Sequence, residues 1–139
     1  MTYENVNSSP SEKDEVLIDL AETLSNEYAK TDGNADTFGI WCIPGEGMLQ
    51  ETCIQFSGGS FSPWDYRNPQ ISKLVRSLWN LTERSWSCLI LVIFANTGEF
   101  KAEFLSESEL DRDLEEYYDF PGQARQFLEV ANDTFQHLS

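Results

Sequence analysis

Histidine is almost absent from this chain of 139 residues, His137 being the only one. Cations are scarce too: nine Lys and Arg stand against 24 Asp and Glu, a formal net charge of −15. That balance argues against direct binding to a nucleic-acid backbone, where basic residues drive association by releasing counterions. An anionic membrane surface would also repel the chain. Long apolar runs are missing. The longest, Cys88–Ala95, falls far short of the roughly 18–20 residues that cross a bilayer. The opening residues Met1-Thr2-Tyr3-Glu4-Asn5 lack the basic and then apolar order of a secretory signal. Cysteines number three, an odd count that suits reduced thiols, so a cytoplasmic location is expected. Cys42 and Cys53 fall on neighbouring strand-like segments, and the sequence leaves open whether they ever pair.

The patterns of enzyme chemistry are equally thin. There is no Cys-x-x-Cys and no zinc constellation. Gly45-Glu46-Gly47 and Gly58-Gly59 lack the phosphate-loop spacing and its lysine. Asp111-x-Asp113-x-Glu115 starts like a calcium loop, but it has Glu116 where glycine is required and Gly122 where the bidentate glutamate belongs. His137, two residues from the end of the sequence, has no evident partner in Cys42, Cys53 or Cys88, which fall in strand-like segments. The expectation is a protein that is not an enzyme and needs no metal or other cofactor.

What the chain does have is apolar patterning. Hydrophobic residues make up 40% and aromatics 13%, enough to fold despite the charge. Residues 1–11 are polar and read as a flexible N-terminus, and 12–139 as one domain. Ser11 is a suitable N-cap, and Val16, Leu17, Leu20, Ala21, Leu24 and Tyr28 repeat at helical spacing, which predicts a helix over about 12–29. Thr31-Asp32-Gly33-Asn34 stops it. Thr37–Ile43 and Leu49–Phe56 read as a hairpin about the turn 44–47, followed by a loop over Ser57–Trp64 with room for a short irregular strand. Asn68 as N-cap and Pro69 at the first position open a helix to about Glu83, with Ile71, Leu74, Val75, Leu78 and Trp79 as its buried stripe. Trp86–Phe94 is apolar on both faces and reads as a central strand. Ala95-Asn96-Thr97-Gly98 then turns into an alternating strand over Glu99–Leu105. A last helix is expected over about Pro121–His137. The order α-β-β-α-β-β-α predicts an α+β fold, a mainly antiparallel sheet of about four strands with helices packed on it.

The acids are unevenly placed. Residues 99–119 carry nine against Lys101 and Arg112, and residues 1–35 carry eight against Lys13 and Lys30, whereas 67–98 is basic through Arg67, Lys73, Arg76 and Arg84. Clustered like charge costs stability by self-repulsion unless a partner neutralises it. The plain alternative is a solvated acidic face. The candidate contact residues for a basic partner are Glu107, Glu109, Asp111, Asp113, Glu115 and Glu116, with Tyr117 and Tyr118 as aromatic anchors. The competing surface is the Ser57–Trp64 loop, with Trp64 as anchor.

Two resemblances bear on function. Trp86-Ser87-Cys88-Leu89-Ile90-Leu91-Val92-Ile93-Phe94, a short turn, and Thr97-Gly98-Glu99-Phe100-Lys101-Ala102-Glu103-Phe104 resemble the YezG-like family of bacterial immunity proteins. That resemblance implies a small cytoplasmic antitoxin, a monomer or homodimer when free, that binds and blocks a secreted toxin domain. The toxin is commonly a nuclease, whose phosphate-binding site must be basic. A small acidic α+β chain with helices at both ends also looks like the type III secretion chaperones, which hold an extended effector segment.

Overall fold

The computed structural model describes residues 12–45, 48–106 and 119–133, with only the backbone of Met48 included. The acidic first turn of Glu12, Asp14 and Glu15 opens helix α1, Glu12–Ala29, where carboxylates meet the positive end of the helix. Strands β1 (Thr37–Gly45), β2 (Met48–Ser57) and β3 (Ser60–Pro63) follow, then α2 (Gln70–Leu81). Strands β4 (Cys88–Phe94) and β5 (Phe100–Leu105) come next, and α3 (Phe120–Ala131) is the last described element. The fold is α+β. Its sheet has the order β3-β2-β1-β4-β5, and every neighbouring pair is antiparallel.

Among the described residues the sheet has five strands, where the sequence predicts about four. The additional one is β3, inside the segment read as a loop. Gly58 (φ 59°) and Gly59 (φ 85°) form a two-residue turn with both central residues left-handed, and Ser57 pairs with Ser60. Such a turn matches the strand twist and therefore folds Phe61 back onto Phe56.

Alternation along the strands sends side chains to two covered faces. On one face α1 and α2 pack Leu20, Leu24, Ile71 and Leu78 against Phe38, Ile40, Leu89, Leu91 and Ile93. On the other, α3 packs Phe127 and Val130 against Trp41, Ile54, Ile90 and Val92. The face of β5 that carries Lys101 and Glu103, expected to point outward, lies on the α3 side.

Several expected boundaries move for local reasons. Helix α2 begins at Gln70 with Pro69 in the N-cap position, one residue later than expected, while Asn68 Oδ1 accepts from the Gln70 amide at 2.9 Å just ahead of it. The same helix ends at Leu81, not Glu83, because Glu83 and Arg84 are both left-handed (φ 59° and 54°). Arg84 is held there over the Trp79 ring, 4.3 Å from its centroid. Strand β4 begins at Cys88, two residues later than expected. The Trp86 indole donates to Thr82 Oγ1 (2.7 Å) and its carbonyl accepts from Trp79 (2.9 Å). Helix α3 ends at Ala131, short of the expected end near His137, because Asn132 caps it and Asp133 turns left-handed (φ 59°). The Ser11 cap and residues 1–11 lie outside the described residues.

Glu27 joins the two helices of one layer. It is 5% exposed, bonded to Lys30 Nζ at 2.7 Å and to the Arg67 amide at 3.1 Å. The Lys30 hydrogen bond, and then the Arg67 and Asn68 amides, hold its carboxyl below the ordinary value of 4.5. A lowered carboxyl pKa contributes stability above the unfolded value and loses it as pH falls through the folded one. The gap in urea midpoint between the wild type and Glu27→Gln should therefore be wide at pH 7 and narrower at pH 3. A gap of equal size at both pH values would refute this role.

Gly39 sits where β1 crosses under α3. A Cβ there would fall inside the Leu91 carbonyl oxygen and 3.0 Å from the Phe127 ring. Gly39→Ala should lower unfolding free energy by about 3 kcal/mol, because the obstacle is backbone and cannot rotate away. Urea unfolding measures this, and a loss below about 1 kcal/mol would show that the strands separate freely.

Candidate functional site

Among the described residues, several hollows lie at one end of the sheet, around the loop between β4 and β5. Strand β4, buried on both faces, ends at Phe94. The chain then turns through Ala95-Asn96-Thr97-Gly98, with the Gly98 amide bonded to the Phe94 carbonyl (2.8 Å) and Gly98 left-handed at φ 77°. The Phe94 amide donates to the Glu99 carbonyl (2.8 Å), and the Ala95 amide to the Asp36 carbonyl (3.0 Å). The loop is thus tied to β5 and to the start of β1, while its side chains remain exposed.

Hollows flank this loop on both sides. Toward α1, cavities of about 300 and 290 Å³ share Ser25 and Gly98, and their apolar walls include Phe38, Ile93 and Phe100. Ile18, 40% exposed, lies at the end of the first. Toward α3, clefts of about 390 and 330 Å³ share Lys101.

Lys101 fixes the end of α3. Its Nζ donates to the Ala131 carbonyl (3.0 Å), pairs with Asp133 Oδ2 (2.7 Å) and stands 5.3 Å from the Phe94 ring centroid. A cation at a helix C-terminus meets its unsatisfied carbonyls and negative dipole end. Asp133 is left-handed at φ 59°, a conformation that aspartate tolerates better than most residues. Around this end stand the exposed carboxylates Glu22, Asp36, Glu99 and Asp133.

The residues expected to bind a partner fare differently. Glu107, Glu109, Asp111, Asp113, Glu115, Glu116, Tyr117 and Tyr118 lie outside the described residues. Trp64 is not an exposed anchor. It is 7% exposed, its indole donates to the Ile54 carbonyl at 3.1 Å, and its ring meets Tyr28 edge-on at 5.1 Å. Pairing of β3 with β2 lays the following residue over the sheet, where Tyr28 and Phe38, stacked at 4.1 Å, receive it. The Gly58-Gly59 turn between Phe56 and Phe61 was the sequence signal for this hairpin. Nothing comparable marks Asp36 and Glu99, which come together only through the β1–β4 pairing.

The three cysteines are free and buried. Cys53 lies opposite Ile40 and Cys42 opposite Glu51, diagonal neighbours on one face that do not pair. Burial pushes all three thiols well above their ordinary range, with neighbouring acids adding to the shift at Cys42 and Cys53. Tyr66, bonded to Glu51, is raised by burial and then by that bond. Buried polar side chains lacking a partner among the described residues are Thr37 Oγ1 and Gln126 Nε2, although Gln126 Oε1 accepts from Trp41 at 3.2 Å. Among the described residues no group of three or more His, Cys, Asp or Glu is placed to hold a metal ion. Among them, too, no helix is long and apolar enough to cross a membrane.

The thiols should be silent toward Ellman's reagent in the folded protein at pH 8, and all three should react once it is unfolded. A thiol that reacts at once in native buffer would contradict its burial. Neither a protein-family model nor a curated protein sequence matches this chain.

Proposed function

We propose that this chain is a cytoplasmic antitoxin that neutralises a basic toxin domain by stoichiometric binding, the toxin being a nuclease. The observation that carries this reading is the charge. A net −15 coincides with exposed, separately held carboxylates around the hollows at the β4–β5 loop. The supporting resemblance is that of Trp86–Phe104 to YezG-like immunity proteins, and this is the hairpin that carries the loop. A nuclease site is basic because it must hold phosphates, so carboxylates can stand where phosphates would. Rim charges of this kind act mainly on the rate of encounter.

The joined hollows beside α1 favour a second reading, a chaperone for an extended effector segment. Their apolar walls and the exposed Ile18 suit apolar side chains of such a segment. One experiment separates the two. The chain is co-expressed with the product of the adjacent gene, and the mixture is assayed by gel filtration and nucleic-acid cleavage. A 1:1 complex with cleavage abolished is expected. A complex that still cleaves supports the chaperone, and no complex at all sinks both readings. For the complex, the association rate should fall at least about tenfold between low salt and about 0.5 M salt, as for steered encounters. A rate flat across salt would remove the charge from the mechanism.

A further inference from the structure

We propose that the cleft between the β4–β5 loop and the end of α3 receives a guanidinium side chain of the basic partner. Asp36 and Glu99 would be its counter-charges, and Thr37 Oγ1 a hydrogen-bond acceptor. This proposal rests on the antitoxin reading for the partner's sign of charge, and on the cleft itself for its place.

The cleft holds about 390 Å³, ample for one side chain. Its charged walls are Asp36, Glu99 and Lys101. The lysine is already engaged by Asp133 and the Ala131 carbonyl, so its charge is met. Asp36 and Glu99 are exposed, and their carboxylates have no partner among the described residues. The C-terminal end of α3 adds its own negative partial charge through Ala131. The sign of the recess is therefore negative.

Thr37 is the second, independent observation. It lines the same cleft, is 8% exposed, and its Oγ1 is buried with no hydrogen-bond partner among the described residues. Burying a hydroxyl unpaired costs free energy, and valine would fill the same space without that cost. A donor arriving in the cleft supplies what the hydroxyl lacks. The acceptors point to a group rich in donors, and the walls of Phe94 and Ala131 offer apolar surface beside them. Guanidinium fits both features. It carries five N–H donors in a planar fork and is more weakly hydrated than ammonium, so it leaves water for such a recess more readily.

The test is an NMR titration of the full-length chain, labelled with ¹⁵N, with N-acetyl-arginine methylamide, and with the lysine analogue for comparison. Saturating shifts are expected at the amides of residues 36, 37, 95–99 and 101, tighter for arginine than for lysine. Asp36→Asn with Glu99→Gln should weaken binding at least about tenfold, the order expected on losing charged hydrogen bonds. Both side chains are exposed and unpaired among the described residues, so the rest of the spectrum should not move. Thr37→Val should weaken binding while leaving Tm unchanged or raised, an outcome a merely structural threonine would not give. Non-saturating shifts spread over the acidic surface would overturn the proposal. So would unaltered binding by the double variant, or concentration-dependent shifts at these amides without the probe, which would assign the cleft to a second copy of the chain. No toxin enters this titration. Its failure leaves the inhibition assay standing, and failure of that assay leaves the cleft to be judged by its own shifts.

Discussion

The contact of β1 with β4 sets the terms for the rest of the molecule. These two strands lie at the centre of the sheet, with Phe38 opposite Ile93, Ile40 opposite Leu91 and Trp41 opposite Ile90. Nearly every side chain they carry is buried, so both faces of the pair require a cover. Backbone hydrogen bonds satisfy the polar groups that this burial takes from water. The apolar area removed on each side supplies the driving force, at roughly 25 cal/mol per Å². Gly39 marks how close the approach is. The Leu91 carbonyl occupies the place a side chain would take, and the Phe127 ring of α3 lies against the same spot.

Placement of the helices follows from that demand. Helices α1 and α2 cover one face as a pair, joined by the Glu27 carboxylate to the chain entering α2. Among the described elements α3 alone covers the other face, with Phe127 fully buried over Trp41 and Ile90. Its end is fixed from the sheet by Lys101. This arrangement puts rigid walls on both sides of the β4–β5 loop. A surface held in that way would lose little conformational entropy on binding, as the proposed antitoxin role requires.

The charge works against the fold, and among the described residues it is kept mostly in water. Of the carboxylates at the hairpin end, Glu22, Asp36, Glu99 and Asp133 are exposed, where water and ions screen them. Glu27 is the buried exception among described acids, and it is fully provided with donors. The basic stretch around α2 is partly internal in its use. Arg76 donates to the Gly45 carbonyl at 2.8 Å, and Arg84 stacks on Trp79. Those cations tie helix to sheet and to loop, and the outward field of the molecule remains acidic.

Local patterning by itself determined much of this protein. The helical repeat of Leu20, Leu24 and Tyr28 gave α1 with its boundaries, and the two-faced apolar run at Cys88–Phe94 identified a central strand. Alternation in Phe100, Ala102 and Phe104 assigned the inward face of β5. Element type is legible because the period of apolar residues reports it within a dozen positions. Trp64 was misplaced because its segment is short and polar at Ser57, Ser60 and Ser62, so the Gly58-Gly59 turn was the only signal of a strand. The strand order and the position of α3 on the opposite face were decided only by tertiary structure. So was the meeting of Asp36, Thr37, Glu99 and Lys101 in one cleft. The first two are distant in the chain from the last two, and no periodicity couples the pairs. They meet because β1 pairs with β4, a choice made by the fit of side chains across two covered faces and not by any local preference.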